Sequence, residues 1–167
     1  HADIASIDTS VAAALPGIVS ILTGTDMEAD GLGEIPFMWI MNNSDGSPMN
    51  QPKRWGLARN RVRHVGEPVA VVIADSVAEA NDAAEAVMVD YTPRPAVTSA
   101  RAALEPAAPL LHDDAPGNRI YTFGRGNADA ADAAIAGAAH VIEIEIVNNR
   151  IACAAIETRA CLAVPDP

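Results

Sequence analysis

The strongest constraint on the fold lies between residues 61 and 91, where two strand patterns flank a capped helix pattern. Val69–Ala74 is a continuous apolar run, which is typical of a strand buried on both faces. Ser76 and Glu79 form a capping box. In this motif the serine oxygen accepts from a free backbone N–H, and the glutamate side chain accepts from the backbone N–H of the capping residue. Val87–Tyr91 predicts a second strand. This order favours a strand–helix–strand unit with its helix packed on a mixed sheet, and therefore an α/β fold.

The helix after Ser76 and a second helix can be placed by their caps. The first is expected to bury one face, made of Val77, Ala80, Ala84 and Val87. Asn127 is a good N-cap for the second, and Asp129 lies in its first turn, where the helix dipole favours a negative charge. Gly137 weakens the end of that helix.

Further elements follow from alternation and turn residues. Residues 141–147 alternate Ile with Glu, which predicts a half-buried antiparallel strand. An edge strand is predicted over residues 3–9. Other strands are predicted over 18–22, 119–123 and 156–164, helical turns over 10–15 and 100–104, and a turn over 23–26.

Residues 29–56 show no clear periodicity and are rich in glycine and proline. A long loop inside a compact domain is unusual and often functional. It carries Phe37–Met41, five bulky apolar residues in a row. Two interpretations are open: a buried strand within the loop, or a surface that docks on a neighbouring domain.

Charge and composition exclude several classes of function. The formal net charge is −11 over 167 residues, which argues against binding to nucleic acid or to an anionic membrane surface. No apolar run approaches the roughly 20 residues that cross a bilayer. Cys153 and Cys161 have no zinc-ligand spacing, and free buried thiols are expected.

The side chains that could carry chemistry do not form a recognisable site. Glu143 and Glu145 could act as a carboxylate pair, but the alternation places them on the solvated face of a strand. His112, Asp113 and Asp114 could bind a metal, but adjacent aspartates in a proline-rich loop are usually solvated. The remaining sets lack the spacing of a ligand, nucleotide or nucleophile motif: His1, His64 and His140; Gly31-x-Gly33 and Gly124-x-Gly126; and Cys153.

Longer stretches of sequence carry a family resemblance. Arg61–Val97, RVRHVGEPVAVVIADSVAEANDAAEAVMVDYTPRPAV, resembles the α/β hammerhead domain of molybdenum hydroxylase large subunits. Leu15–Met27 is similar to the start of that domain, and Pro109–Asn118 and Gly126–Ile146 to its end. Ala155–Ala163, AIETRACLA, resembles the opening of the next domain, which binds molybdopterin. These fragments occur in the family's order and cover nearly the whole chain.

The resemblance implies a domain division and a parent activity. Residues 1–147 are expected to form the hammerhead domain, with its irregular loop at 29–56. Residues 148–167 are expected to begin a truncated molybdopterin-binding domain. The parent would be a xanthine dehydrogenase, aldehyde oxidase or carbon monoxide dehydrogenase type oxidoreductase. The alternative is a structural or interaction domain with no activity of its own, which is the expectation for this chain alone.

The resemblance also implies cofactors and partners. The parent would hold molybdenum on molybdopterin, with FAD and [2Fe–2S] clusters on partner chains or domains. The family's cofactor-contacting glutamine, GGGFG loop and catalytic glutamate have no counterpart in these 167 residues, so no catalytic, cofactor-binding or metal-binding residue is assigned. Expected partners are the rest of the large subunit and the flavin and iron–sulfur subunits, with self-association through Phe37–Met41. A cytoplasmic location is expected, with no nucleic acid or membrane partner.

Overall fold

Two small antiparallel sheets form the framework of the first of two units, His1–Arg125 and Gly126–Pro167. The structure is a computed structural model, and it describes residues 1–148, 156, 160, 161, 163 and 164. Helices alternate with the strands along the first unit. The α/β class predicted from the sequence is confirmed. Within the described part of the chain, however, every strand pairing is antiparallel, and the strands form two sheets instead of one mixed sheet.

The larger sheet has β1 (Ala2–Asp8) between β3 (Arg61–Val62) and β5 (Met88–Pro93). The strand over residues 3–9 is therefore confirmed, but its prediction as an edge strand is wrong. Asp3 lies opposite Arg61 on one side and Thr92 on the other. Local alternation could not reveal this position, because both neighbours of β1 come from distant parts of the chain.

The smaller sheet pairs β2 (Ile18–Thr23) with β4 (Ala70–Ala74). The prediction that β4 is buried on both faces is wrong. Val71 and Ile73 are 43% and 45% exposed, whereas their neighbours Val72 and Ala74 are half-buried. Because successive side chains of a strand point to opposite faces, this alternation shows that β4 is better covered on one face.

Helix α3 (Val77–Ala86) begins as predicted at Ser76, whose Oγ accepts from the Glu79 N–H at 3.3 Å. The Ser76 hydroxyl also donates to Glu79 Oε2 at 2.7 Å. The helix joins β4 to β5, which lie in different sheets. Ala83 is buried, and Ala80, Ala86 and Val87 are half-buried. The predicted face was therefore partly wrong, because Val77 and Ala84 are exposed.

Three shorter helices complete the regular structure of the first unit, together with a 3-10 turn at Pro116–Asn118. The predicted helical turns are confirmed as α1 (Ser10–Ala13) and α4 (Ala100–Ala103). The turn predicted over 23–26 is instead the start of α2 (Gly24–Ala29). The carboxylate of Asp26 accepts from the N–H of Thr23 at 2.7 Å and from its hydroxyl at 2.6 Å. A Thr-x-x-Asp pattern therefore caps this helix.

The loop that follows α2 is irregular, as predicted. Among the described residues, its only isolated β-bridge joins Asn42 to Pro48. The strand predicted over 119–123 is wrong. That stretch runs along the loop instead, where Asn50 N–H donates to Ile120 O and Ser44 N–H to Thr122 O, each at 2.8 Å. These two backbone hydrogen bonds, with two more made by the side chains of Asn43 and Asn50, hold the segments together without forming a ladder.

The second unit contains the predicted capped helix, α5 (Ala128–Ala136). Asn127 Oδ1 accepts from the Ala130 N–H at 2.9 Å, and Gly137 follows the last turn. The strand predicted over 141–147 is wrong: the segment is irregular, and Ile142 and Ile146 are 88% and 80% exposed. Most of the strand predicted over 156–164 lies outside the described residues. In the described part of the chain, no helix is long and apolar enough to cross a membrane.

Candidate functional site

Three arginines at alternate positions line a cavity of the first unit. Arg61 belongs to β3, and Arg59 and Arg63 flank that strand. The cavity measures about 280 Å³, and we call it the arginine cavity; it is lined by Glu28, Trp55, Arg59, Asn60, Arg61, Arg63 and Asp113. Guanidinium groups beside an indole could in principle bind an anion or a planar ring, so their partners decide what the cavity can do.

Arg59 is held by groups from two sides of the cavity. Its Nη1 lies 2.8 Å from Glu28 Oε1, and its guanidinium carbon lies 3.4 Å from the centroid of the Trp55 ring. Its Nη2 donates to the carbonyl oxygen of Leu32 at 3.3 Å. The side chain is only 16% exposed. Arg59 therefore ties α2 and the start of the loop to the approach to β3.

Arg61 connects β3 to β1 and to residue 113. Its Nε donates to Asp3 Oδ1 at 3.0 Å, and its Nη1 lies 3.2 Å from Asp113 Oδ1. Asp3 also accepts from Arg94, which follows β5. The hydrogen bonds from Arg94 and then Arg61 hold the pKa of Asp3 below its ordinary value, and the bond to Asp3 raises the pKa of Arg61. One carboxylate thus bridges residues from all three parts of the larger sheet.

Arg63 is engaged by its own turn and by residue 111. Its Nε donates to Leu111 O at 2.9 Å, and its Nη1 lies 3.7 Å from Glu67 Oε1. The other oxygen of Glu67 accepts from the backbone N–H of Arg63. The Glu67 side chain thereby closes the turn between Arg63 and Glu67.

These partners make the arginine cavity a structural ion-pair network. Each of its three guanidinium groups already meets a carboxylate, and two of them also meet a backbone carbonyl. Because each cation is already paired with a carboxylate, a phosphate or other anion would approach negative charges as well as positive ones. The network does not fit a molybdopterin site, which needs free donors for a phosphate group. We assign no described residue to that cofactor.

The neighbouring residues His112, Asp113 and Asp114 do not share a binding partner: the two aspartates contact different groups. Asp113 pairs with Arg61, and Asp114 Oδ2 accepts from the Lys53 N–H at 3.3 Å. Burial, and then the charge of Arg63, lower the pKa of His112. No group of three or more histidine, cysteine, aspartate or glutamate side chains that could hold a metal occurs among the residues described.

The other candidate residues are distributed over both units. Glu143 and Glu145 lie on the exposed segment of the second unit. The ring of His1 lies with Nδ1 3.0 Å from Pro95 O, and His64 Nδ1 lies 3.0 Å from the carbonyl oxygen of Val65. Cys161 is free but exposed, so its expected burial is wrong, and Cys153 lies outside the described residues.

The sequence contains a signal from which the arginine network could have been predicted. Arg59, Arg61 and Arg63 alternate with other residues just before the Gly-Glu-Pro turn. Such spacing aligns side chains on one face of an extended segment. Glu67 is a local carboxylate partner of Arg63, but the other partners come from residues 3, 28 and 113, which no local pattern connects to the arginines.

Comparisons with known proteins agree with the fold. Residues 1–95 match the family described as "Aldehyde oxidase and xanthine dehydrogenase, a/b hammerhead domain". Residues 111–167 match the "Molybdopterin cofactor-binding domain". The chain is 34% identical to the nicotine 6-hydroxylase large subunit of Paenarthrobacter nicotinovorans, over 98% of this chain and 19% of that protein. It is 32% identical to the carbon monoxide dehydrogenase large chain of Hydrogenophaga pseudoflava, over 100% of this chain and 21% of that protein.

Solved structures show the same likeness. A Cu,Mo-CO dehydrogenase structure superposes with a TM-score of 0.66 and 33% identity, over 83% of this chain and 18% of that one. Quinoline 2-oxidoreductase from Pseudomonas putida 86 superposes with a TM-score of 0.51 and 41% identity, over 62% of this chain and 12% of that one. The chain spans about a fifth of the length of the curated relatives it matches. It therefore belongs to the aldehyde oxidase and xanthine dehydrogenase family, in which it corresponds to a fragment of a molybdenum hydroxylase large subunit.

Proposed function

We propose that the chain is a non-catalytic scaffold within the large subunit of a molybdenum hydroxylase. One observation carries the proposal: the hammerhead match over residues 1–95 and the cofactor-domain match over residues 111–167 occur in one chain, in that order. The arginine network supports the scaffold role, because its cations are used to join strands and loops. The alternative, an interaction domain of an unrelated assembly, leaves the second match unexplained.

The whole protein would oxidise a small substrate. The reaction is the hydroxylation of an aldehyde or heteroaromatic carbon, or the oxidation of carbon monoxide, with water as the oxygen source. The named relatives include a nicotine hydroxylase, carbon monoxide dehydrogenases and an aldehyde oxidoreductase, so they support the reaction class and leave the substrate open. Molybdenum on molybdopterin, held by other parts of the large subunit, would supply the two-electron chemistry. FAD and [2Fe–2S] clusters on partner chains would then carry the electrons away, in a cytoplasmic complex.

We also propose the domain division given by the sequence, with the hammerhead domain over 1–147 and the start of the molybdopterin-binding domain over 148–167. The family matches leave residues 96–110 between them, and the chain divides into units after Arg125. Limited proteolysis of the complete large subunit would locate the boundary. Cleavage concentrated near residue 148 supports the division, and cleavage concentrated near residue 126 or within residues 96–110 would move it.

The functional proposal is tested by comparing the complete large subunit with residues 1–167, both made in cells that synthesise molybdopterin. We expect molybdenum and a fluorescent pterin oxidation product in the complete subunit. Residues 1–167 should contain no molybdenum, iron or flavin, because they lack cysteine clusters and the family's cofactor loops. A complete subunit purified without molybdenum would contradict the function, and stoichiometric molybdenum in residues 1–167 would contradict the scaffold role.

With its partner subunits present, the loaded enzyme should reduce an artificial electron acceptor when given a substrate of the right class. Aldehydes, nitrogen heteroaromatics and carbon monoxide form the test panel. Reduction with one of these classes identifies the branch of the family. A loaded, complete enzyme that reduces the acceptor with none of them would contradict the proposed reaction.

A further inference from the structure

Four apolar side chains form an exposed surface on the irregular loop, and we call them the Trp39 surface: Ile35, Met38, Trp39 and Ile40. They are 49%, 99%, 78% and 62% exposed, respectively. The buried strand considered for Phe37–Met41 is therefore wrong. Isolated exposed apolar residues are ordinary on proteins, but adjacent Met, Trp and Ile side chains form a patch of the kind that marks interaction sites.

Hydrogen bonds and packing fix the backbone at both ends of this surface. On one side, Ile35 N–H donates to Arg54 O at 2.7 Å, and the Arg54 guanidinium lies 4.8 Å from the centroid of the Phe37 ring. On the other side, Met41 N–H lies 3.2 Å from the sulfur of Met49, which is only 7% exposed. A surface held in this way loses little conformational entropy when a partner binds.

The surface also offers a depression that an apolar side chain could enter. A cavity of about 170 Å³ lies beside it, with Ile35, Phe37, Ile40 and Pro52 among its lining residues. Tryptophan is among the side chains that contribute most to binding energy at protein interfaces, and methionine adapts to irregular partner surfaces. Glu34 and Gln51 lie at the same cavity, which gives the apolar centre a polar margin.

We propose that the Trp39 surface packs against an apolar surface of the same polypeptide outside residues 1–167. This inference rests on the proposed function, because it requires a longer large subunit. The lengths of the matched relatives support a partner surface in the same polypeptide, since residues 1–167 cover only 19% and 21% of those proteins. A covalently joined partner is present at high effective concentration, whereas a second copy has to be recruited from solution.

Photo-crosslinking of the complete large subunit tests this contact. The variant Trp39→p-benzoylphenylalanine places the probe at the centre of the surface. The matched control is the same substitution at Val65, an apolar side chain that is 102% exposed on a different turn. We expect the Trp39 probe to join a peptide of the same polypeptide outside residues 1–167, at a yield independent of protein concentration. A crosslink to a second copy, to another subunit, or to nothing would overturn the proposal; a similar pattern of products at Val65 would also overturn it.

A double variant gives a second measurement. Met38→Ser with Trp39→Ser should lower the melting temperature of the complete large subunit and leave that of residues 1–167 unchanged at low concentration. Equal shifts in both proteins would contradict the proposal, because they would show that the side chains stabilise only this fragment. Molybdenum content separates the two hypotheses. A subunit without molybdenum contradicts the proposed function, whereas a loaded subunit crosslinked to a second copy contradicts only the contact proposed for Trp39.

Discussion

Asp3 shows how a single side chain organises the larger sheet. It lies on the central strand, and its two oxygens accept from Arg61 and from Arg94. Arg61 in turn reaches Asp113, so the carboxylate links β1, β3, the end of β5 and the 111–114 segment. An isolated ion pair on the surface contributes little to the free energy of unfolding. Several charges that form a network with partly buried arginines contribute more.

Acidification should therefore weaken the fold partly through Asp3. Its folded-state pKa lies below the ordinary value because of the bonds from Arg94 and Arg61. The stabilisation is fully present above the unfolded pKa, about 3.9, and is lost as pH falls through the lower folded pKa. We expect Asp3→Asn to be less stable than the parent at pH 7 and to lose less of its remaining stability on acidification. Urea unfolding at pH 7 and near pH 3 measures both, and an equal acid loss in the two proteins would refute this role.

Ser76 should matter through the cap that it provides to α3. Its Oγ accepts from the Glu79 N–H at 3.3 Å, and Ser76→Ala leaves that N–H without its partner. The expected loss is about 1 kcal/mol of unfolding free energy. Ser76→Thr is the matched control, because threonine keeps a hydroxyl that can cap the helix. Chemical denaturation decides the matter: equal stability of the alanine variant and the parent would show that the cap contributes nothing.

At the scale of elements, local patterns predicted the helices well and the strand pairings poorly. The caps at Ser76 and Asn127 place both longer helices correctly, because capping depends on residues three apart. Pairing depends on distant segments, so the central place of β1 and the separate sheets of β4 and β5 could not be predicted. The 141–147 segment alternates as a strand does, but it has no ladder partner among the described residues. The same limit applies to the arginine cavity: Glu67 lies four residues from Arg63, but the other carboxylates come from the distant residues 3, 28 and 113.

Helix α3 should be sensitive to size on the face that carries Ala83. This residue is fully buried, at 0% exposure, whereas the next residue, Ala84, is exposed. Adding bulk at Ala83 forces the helix away from its neighbours, and overpacking costs about 1–3 kcal/mol. We expect Ala83→Leu to lower the free energy of unfolding by that amount. The matched Ala84→Leu variant should change it little, and equal effects would mean that the helix packs with a different face.

At the scale of the whole molecule, few of the described hydrophobic side chains are buried, although the chain is rich in hydrophobic residues. Half of the residues are hydrophobic, yet the buried apolar residues among those described are few and mostly alanine. Large apolar side chains remain exposed in both units, including Trp39 in the first and Ile142 in the second. A domain that normally packs against the rest of a large subunit would have this property, which agrees with the proposed function.

Residues 1–167 on their own should consequently self-associate through Phe37–Met41. The apolar contact favours association, since burying each large side chain contributes roughly 1.5–3 kcal/mol. The net charge of −11 on each copy opposes it. Salt screens that repulsion, so the association should strengthen between low and high ionic strength. Sedimentation of the parent beside a Phe37→Ser, Trp39→Ser variant measures the effect, with Val65→Ser as the control for removing an exposed apolar side chain elsewhere. A parent that stays monomeric at high concentration and high salt, or a variant that associates equally, would show that this surface does not bind a second copy.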